Sequence, residues 1–210
     1  MAFGDSLTAG EVTVPAPTSA ASEGEAPSFL LALVPQASYP MQLDLLLRAR
    51  YGQQSASINV TNAGKTGEYV TDGSKRFPDV FSALRPEVVL LLGGSNDLAL
   101  GSGALTPAVL AIETMAKEAR LRNARVFIAT LPPPRPGGVR ALSSSLVQAY
   151  NSRLVDVARG EGAVLVDLYA GLLPSVATII GIDGLHPTEA GYRRIAEIFF
   201  DSIRQDLEVR

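Results

Sequence analysis

The stretch "EVVLLLGGSND", residues 87–97, places five consecutive Val and Leu residues ahead of two glycines and a Ser-Asn-Asp step. A run this short, β-branched at its start and bounded by glycine, reads as a strand buried on both faces. Such strands belong to parallel sheets, where helices cover both sides. Three further runs have the same character: "SINVTN" (57–62), "ARVFIATLP" (124–132) and "GAVLVDL" (162–168). Three of these four runs barely alternate. A still shorter run, Met1-Ala2-Phe3, precedes Gly4.

Helical patterns fit between the runs. Residues 40–51 open with Pro40, place Met41, Leu45, Leu46 and Ala49 on one side, and stop before Gly52. Around 106–122, Thr106 is positioned to cap and Pro107 to take the first helical position. A Ser run precedes the pattern at 143–159. The last helix covers roughly 188–207, with Tyr192, Ile195, Ala196, Phe199 and Ile203 on one face. Alternating strands and helices predict a doubly wound α/β sandwich, read as a single domain over 1–210. Ligands of such sheets bind outside the carboxyl ends of the strands.

Composition narrows the function. The chain has 210 residues, of which 47% are hydrophobic and 19% charged, which fits a folded core. Its net charge of −3 lacks the basic surplus of a nucleic-acid binder. With no cysteine, disulfides, thiolate metal sites and cysteine nucleophiles are excluded. His186 is the only histidine, so a histidine base can be no other residue. The apolar stretch "LVDLYAGLLPSVATIIGI" contains Asp167 and Pro174 and reads as core rather than a membrane span.

Four elements lie at strand ends or before a helix. They are Gly4-Asp5-Ser6-Leu7, Asn62-Ala63-Gly64-Lys65-Thr66-Gly67, Gly93-Gly94-Ser95-Asn96-Asp97 and Asp183-Gly184-Leu185-His186-Pro187. The topology rule brings all four to one crevice. Their side chains are of the types that acyl transfer needs. A serine hydroxyl requires a base to take its proton, and histidine titrates near neutral pH. An acid orients the imidazole, and N–H groups of backbone or Asn hold the oxyanion.

Taken together, the four blocks resemble the GDSL family, also called SGNH hydrolases, over essentially the whole chain. The resemblance implies a flavodoxin-like three-layer α/β/α fold with a central parallel sheet of about five strands, and no cofactor. It implies that Ser6 is the nucleophile, His186 the base and Asp183 its orienting acid. The N–H groups of Ser6 and Gly64 and the side chain of Asn96 would form the oxyanion hole. The expected substrate is a small-molecule, lipid or carbohydrate ester, with no nucleic-acid partner and no stable membrane insertion. Asp5 and Asp97 read as supports of their turns. Asp167 ends a strand, but the spacing to His186 favours Asp183.

Other readings stay beside this one. Gly64-Lys65-Thr66 looks like the end of a phosphate-binding loop. The glycine that motif needs five residues earlier is replaced by Asn59. No Gly-x-Ser-x-Gly elbow occurs. A nucleotide-binding protein and a catalytically silent module of the same fold are the alternatives to an ester hydrolase. The Pro-, Ala- and Ser-rich segment 11–39 is read as a long loop or insertion. Its "FLLALV" is expected to form a short helix packed on the body, or else an apolar wall over an acyl pocket. "LPPPRPGGVRALSSS" (131–145) reads as a rigid connector or a pocket rim, with Arg135 and Arg140 available to an anionic substrate. Finally, a central parallel strand usually takes about five residues, yet only three residues precede the turn at Gly4. The natural chain is therefore expected to extend upstream. A signal peptide in that extension would make the protein secreted or periplasmic.

Overall fold

The computed structural model describes residues 1–16 and 29–208. In chain order, β1 (Ala2–Gly4) leads into α1 (Ser6–Ala9), and β2 (Glu11–Pro15) and β3 (Phe29–Leu33) follow. Then come α2 (Tyr39–Arg50), β4 (Asn62–Gly64), α3 (Val70–Leu84), β5 (Val88–Leu92) and α4 (Ser95–Leu98). The chain continues through α5 (Leu105–Leu121), β6 (Arg125–Ala129), α6 (Ser144–Glu161) and β7 (Val164–Val166). It ends with α7 (Leu168–Leu172), α8 (Val176–Ile179) and α9 (Glu189–Leu207).

Five strands form one parallel sheet in the order β4-β1-β5-β6-β7. Counted along the parallel strands alone, that order is 2-1-3-4-5, the flavodoxin-like arrangement. Helices α2 and α9 pack together on one side of the sheet, and α3, α5 and α6 on the other. The strand interiors carry the core: Phe3, Val89, Leu91, Phe127 and Ile128 are almost fully buried. Burying each such side chain contributes about 1.5–3 kcal/mol. The α9 face is as the 3.6-residue period predicts, with Tyr192, Ile195, Ala196, Phe199 and Ile203 all buried. Tyr39 of α2 stacks on Phe199 at 4.9 Å between ring centres.

Several local expectations are corrected. The strand read at 57–62 is Asn62–Gly64, because β1 offers partners only from Ala2 to Gly4. Residues 52–57 make a 3₁₀ turn instead. Helix α2 turns Tyr39, Pro40 and Leu43 inward and leaves Met41, Leu45 and Ala49 exposed, since a ring and a proline at its start join the core. Helix α5 begins at Leu105, two residues before the expected first position at Pro107, so Thr106 lies inside it and takes a hydrogen bond from Arg153 at 2.7 Å rather than capping. Helix α3 was not anticipated; Gly73 and Pro78 interrupt its pattern. "FLLALV" is not a short helix: Phe29–Leu33 pairs antiparallel with Glu11–Pro15. Six residues are too few for a stable isolated helix, whereas the ribbon gives their backbone a partner. The middle of the 11–39 segment, residues 17–28, lies outside the described residues. Among the described residues, no helix is long and apolar enough to cross a membrane.

Candidate active site

The strand order reverses between β1 and β5, and the chain leaves the carboxyl ends of those two strands at Asp5 and Gly93. A crevice opens at such a point. Asp5 caps the short α1, its Oδ1 accepting the Leu7 N–H at 2.9 Å. Ser6 thereby sits at the first turn, with its carbonyl accepting the Gly10 N–H at 3.1 Å. Gly4 permits this close approach: a Cβ there would lie 1.8 Å from the Leu92 carbonyl oxygen.

The fourth block comes from the other end of the chain and meets the first. Ser6 Oγ lies 2.9 Å from His186 Nε2, and His186 Nδ1 lies 2.5 Å from Asp183 Oδ2. All three side chains are buried. Asp183 Oδ1 accepts the N–H groups of Leu185 and His186, both at 3.1 Å. Burial alone would raise the Asp183 pKa. The bond from the His186 ring, the two backbone N–H groups and the imidazole charge outweigh it, and the carboxyl stays below its ordinary value. An ionised Asp183 takes the Nδ1–H, leaving the Nε2 lone pair to face the serine hydroxyl. Asp167 is elsewhere: it caps α7 through the Ala170 N–H at 3.0 Å and accepts the Thr130 hydroxyl at 3.2 Å.

The loop 131–145 supports this arrangement. Arg135 donates its N–H to Gly184 O at 3.1 Å and a guanidinium N–H to Ile180 O at 3.1 Å. The Arg140 N–H reaches Asp183 O at 2.7 Å. Gly138 packs so tightly on this turn that a Cβ would lie 2.3 Å from Gly184 N. The connector therefore clamps the turn that carries Asp183 and His186, and the Arg135 side chain is spent on that task. The Arg140 side chain is exposed.

The second and third blocks lie beside Ser6. Asn96, half-buried in α4, donates one Nδ2–H to Glu68 O at 2.9 Å and retains a second hydrogen. Asp97 accepts the Val70 N–H at 2.7 Å and the Thr71 hydroxyl at 3.0 Å, capping α3 from outside. Ser95 donates to Asp5 Oδ2 at 2.9 Å. Gly94 holds a left-handed φ of 110° under the Tyr150 ring. Gly64 does not offer the free donor expected of it. Its N–H is spent on Asn62 Oδ1 at 2.9 Å, and its role is a close approach to Ala9, whose N would lie 2.3 Å from a Cβ. Three residues on, Gly67 has a φ of 70°, and its N–H has no acceptor among the described residues. Sequence reading passed over Gly67 because Gly64 comes first in the block. The phosphate-loop reading also fails here: Gly64 ends a strand, and no helix begins until Val70.

Comparison with known proteins identifies the family. Residues 2–194 match the model of the GDSL-like lipase/acylhydrolase family. The chain belongs to that family. Its GDSL relatives include esterase TesA of Pseudomonas aeruginosa, 26% identical over 161 residues, or 76% of each chain. The fold is similar to that of a lipase/acylhydrolase from Enterococcus faecalis, with a TM-score of 0.73 and 24% identity over 100% of this chain and 96% of that one. It is also similar to an acetyl xylan esterase, AlAXEase, with a TM-score of 0.71 and 20% identity over 96% and 98% of the two chains. As a GDSL-type protein, this chain is a carboxylic ester hydrolase.

Proposed function

We propose that the protein cleaves carboxylic esters through an acyl-enzyme on Ser6. The observation that carries this reading is the unbroken line from Asp183 through His186 to Ser6. As Ser6 Oγ attacks the ester carbonyl, its proton passes to His186 Nε2 and then to the departing alcohol. Asp183 holds the imidazole and offsets the charge that develops on it. The carbonyl oxygen, as it becomes an oxyanion, is held by the Ser6 N–H, the free hydrogen of Asn96 Nδ2 and the Gly67 N–H in place of Gly64. Water then attacks the acyl-enzyme with His186 again as base.

Short- to medium-chain acyl esters are the proposed substrates. The support is the apolar ribbon β2–β3 beside the crevice and relatives described as an esterase and an acetyl xylan esterase. The test is turnover of p-nitrophenyl acetate and butyrate, with acetylated sugars alongside. Wild type is expected to turn these over and to be labelled by a fluorophosphonate, and Ser6→Ala and His186→Asn to lose turnover. Undiminished turnover by Ser6→Ala would refute the assignment.

A further inference from the structure

His186 Nε2 has a second neighbour besides the serine. Glu11 Oε2 lies 3.3 Å from it, on the opposite side of the ring from Asp183. The two carboxylates differ in setting. Asp183 is fully buried and holds two backbone N–H groups. The Glu11 side chain remains 18% exposed and, among the described residues, its carboxylate accepts no hydrogen bond. Its position is nonetheless well defined. Gly10, at a φ of 100°, turns the chain directly from the helix carrying Ser6 into β2. The Tyr192 hydroxyl donates to Glu11 O at 2.7 Å and lies 3.3 Å from Ser6 O, tying Glu11 and the nucleophile to one phenol. Pairing of Glu11 with Leu33 closes the ribbon at this point.

With Nδ1 protonated toward Asp183, Nε2 is an acceptor once Ser6 is acylated, and the Glu11 carboxylate is another acceptor beside it. Two acceptors in contact are satisfied together by a molecule that donates twice. Water does so; an alcohol, with one O–H, does not. We propose that Glu11 positions the water that hydrolyses the acyl-enzyme, and so favours water over alcohols as the acyl acceptor. This inference rests on the acyl-enzyme reading above. One water hydrogen points to Nε2 and the other to Glu11, which turns the oxygen toward the acyl carbon. As the new C–O bond forms, the first proton passes to Nε2. Collapse of the tetrahedral adduct breaks the C–Oγ bond, Nε2 returns its proton to Ser6 Oγ, and the carboxylic acid leaves. Glu11 keeps no proton at any stage. An attacking alcohol spends its hydrogen on Nε2 and leaves the carboxylate facing an alkyl group.

The experiment is a partition measurement. Wild type, Glu11→Ala and Glu11→Asp are given p-nitrophenyl acetate with increasing methanol, and acetic acid and methyl acetate are quantified. Fluorophosphonate labelling of Ser6 counts competent sites in each protein. The ratio of methyl acetate to acetic acid is expected to rise about tenfold in Glu11→Ala, the scale of one hydrogen bond to a charged group. Glu11→Asp, which keeps a carboxylate, should recover part of it. An unchanged ratio in Glu11→Ala with labelling intact overturns the proposal, including the case in which both products fall together. Wild type that resists labelling and forms no methyl ester overturns the acyl-enzyme reading itself.

Discussion

Asp5 is a carboxylate placed where water cannot reach it. It caps the turn that carries Ser6 and takes the Ser95 hydroxyl, yet it is 2% exposed. Burial pushes its pKa from 3.8 to about 6. The Leu7 N–H, the Ser95 hydroxyl and the His186 charge pull against that rise, and the Asp97 charge adds to it. Each tenfold change in proton affinity is about 1.4 kcal/mol, so this shift represents about 3 kcal/mol of preference for the neutral acid on folding. The folded protein therefore holds the proton more tightly than the unfolded chain does. The associated stability is fully present below pH 3.8 and is lost as the pH rises through about 6. Asp5→Asn resembles the protonated form: its carbonyl still accepts the Leu7 N–H, and its amide faces a hydroxyl that can turn and accept. The two proteins should be about equally stable near pH 4, and the variant more stable by about 3 kcal/mol near pH 7.5. Urea unfolding followed by circular dichroism between these limits gives the difference curve, in which titrations common to both proteins cancel. A flat difference, or a variant that loses ground as the pH rises, would refute the reasoning. It would mean that the donors around Asp5 stabilise its charge more than burial opposes it.

Four further outcomes are expected. Asn96→Ala should lower kcat about a hundredfold or more without unfolding the protein, since the proposed mechanism assigns its second Nδ2 hydrogen, the one not donated to Glu68, to the oxyanion; a kcat equal to wild type would remove Asn96 from the site. Asp183→Asn should cost about 10³- to 10⁴-fold in kcat by disturbing the tautomer of His186. Asp167→Ala should leave kcat alone and cost about 1 kcal/mol of stability as a lost cap, and the reverse pattern would exchange their roles. Gly94→Ala should destabilise by about 2–4 kcal/mol in denaturant titration, because φ is 110° and the new Cβ would lie 2.5 Å from the Tyr150 hydroxyl. Adding Tyr150→Phe removes the obstructing oxygen but not the dihedral strain, so only part of the loss should return.

The legible parts of the fold are those where one physical demand dominates. The apolar runs at 88–92 and 126–129 are strands because burial on both faces leaves no room for polar residues. Helix α9 is legible because one face is core and the other solvent. Elements governed by two demands were misread. Helix α3 must admit Gly73 beside Glu68 and Pro78 within its length, and these obscure the period. At the sheet edge, β4 is placed by the extent of β1 rather than by its own composition. Residues 29–33 become a strand because residues 11–15 pair with them, and no local pattern states that pairing.

The candidate active site divides along the same line. Ser6, Asp183 and His186 could be named from the sequence because few other residues could do the proposed chemistry: the chain has one histidine, with an acid three residues before it. The structure brings these three into hydrogen-bond contact. The proposed oxyanion donors were less legible, because a backbone N–H has no residue type. Only hydrogen-bond accounting separates Gly64, whose donor is taken by Asn62, from Gly67, whose donor is free among the described residues. Glu11 left no signal at all, since a glutamate at the start of an irregular segment resembles any solvated charge. It reaches His186 because Gly10 reverses the chain one turn after Ser6 and Tyr192, from the last helix, holds both Ser6 and Glu11 by their carbonyls. One helix thus ties the Ser6 turn to the start of the ribbon, and the residues that lead into that helix carry His186. A substitution at Tyr192 should therefore disturb the spacing of Ser6, Glu11 and His186 together.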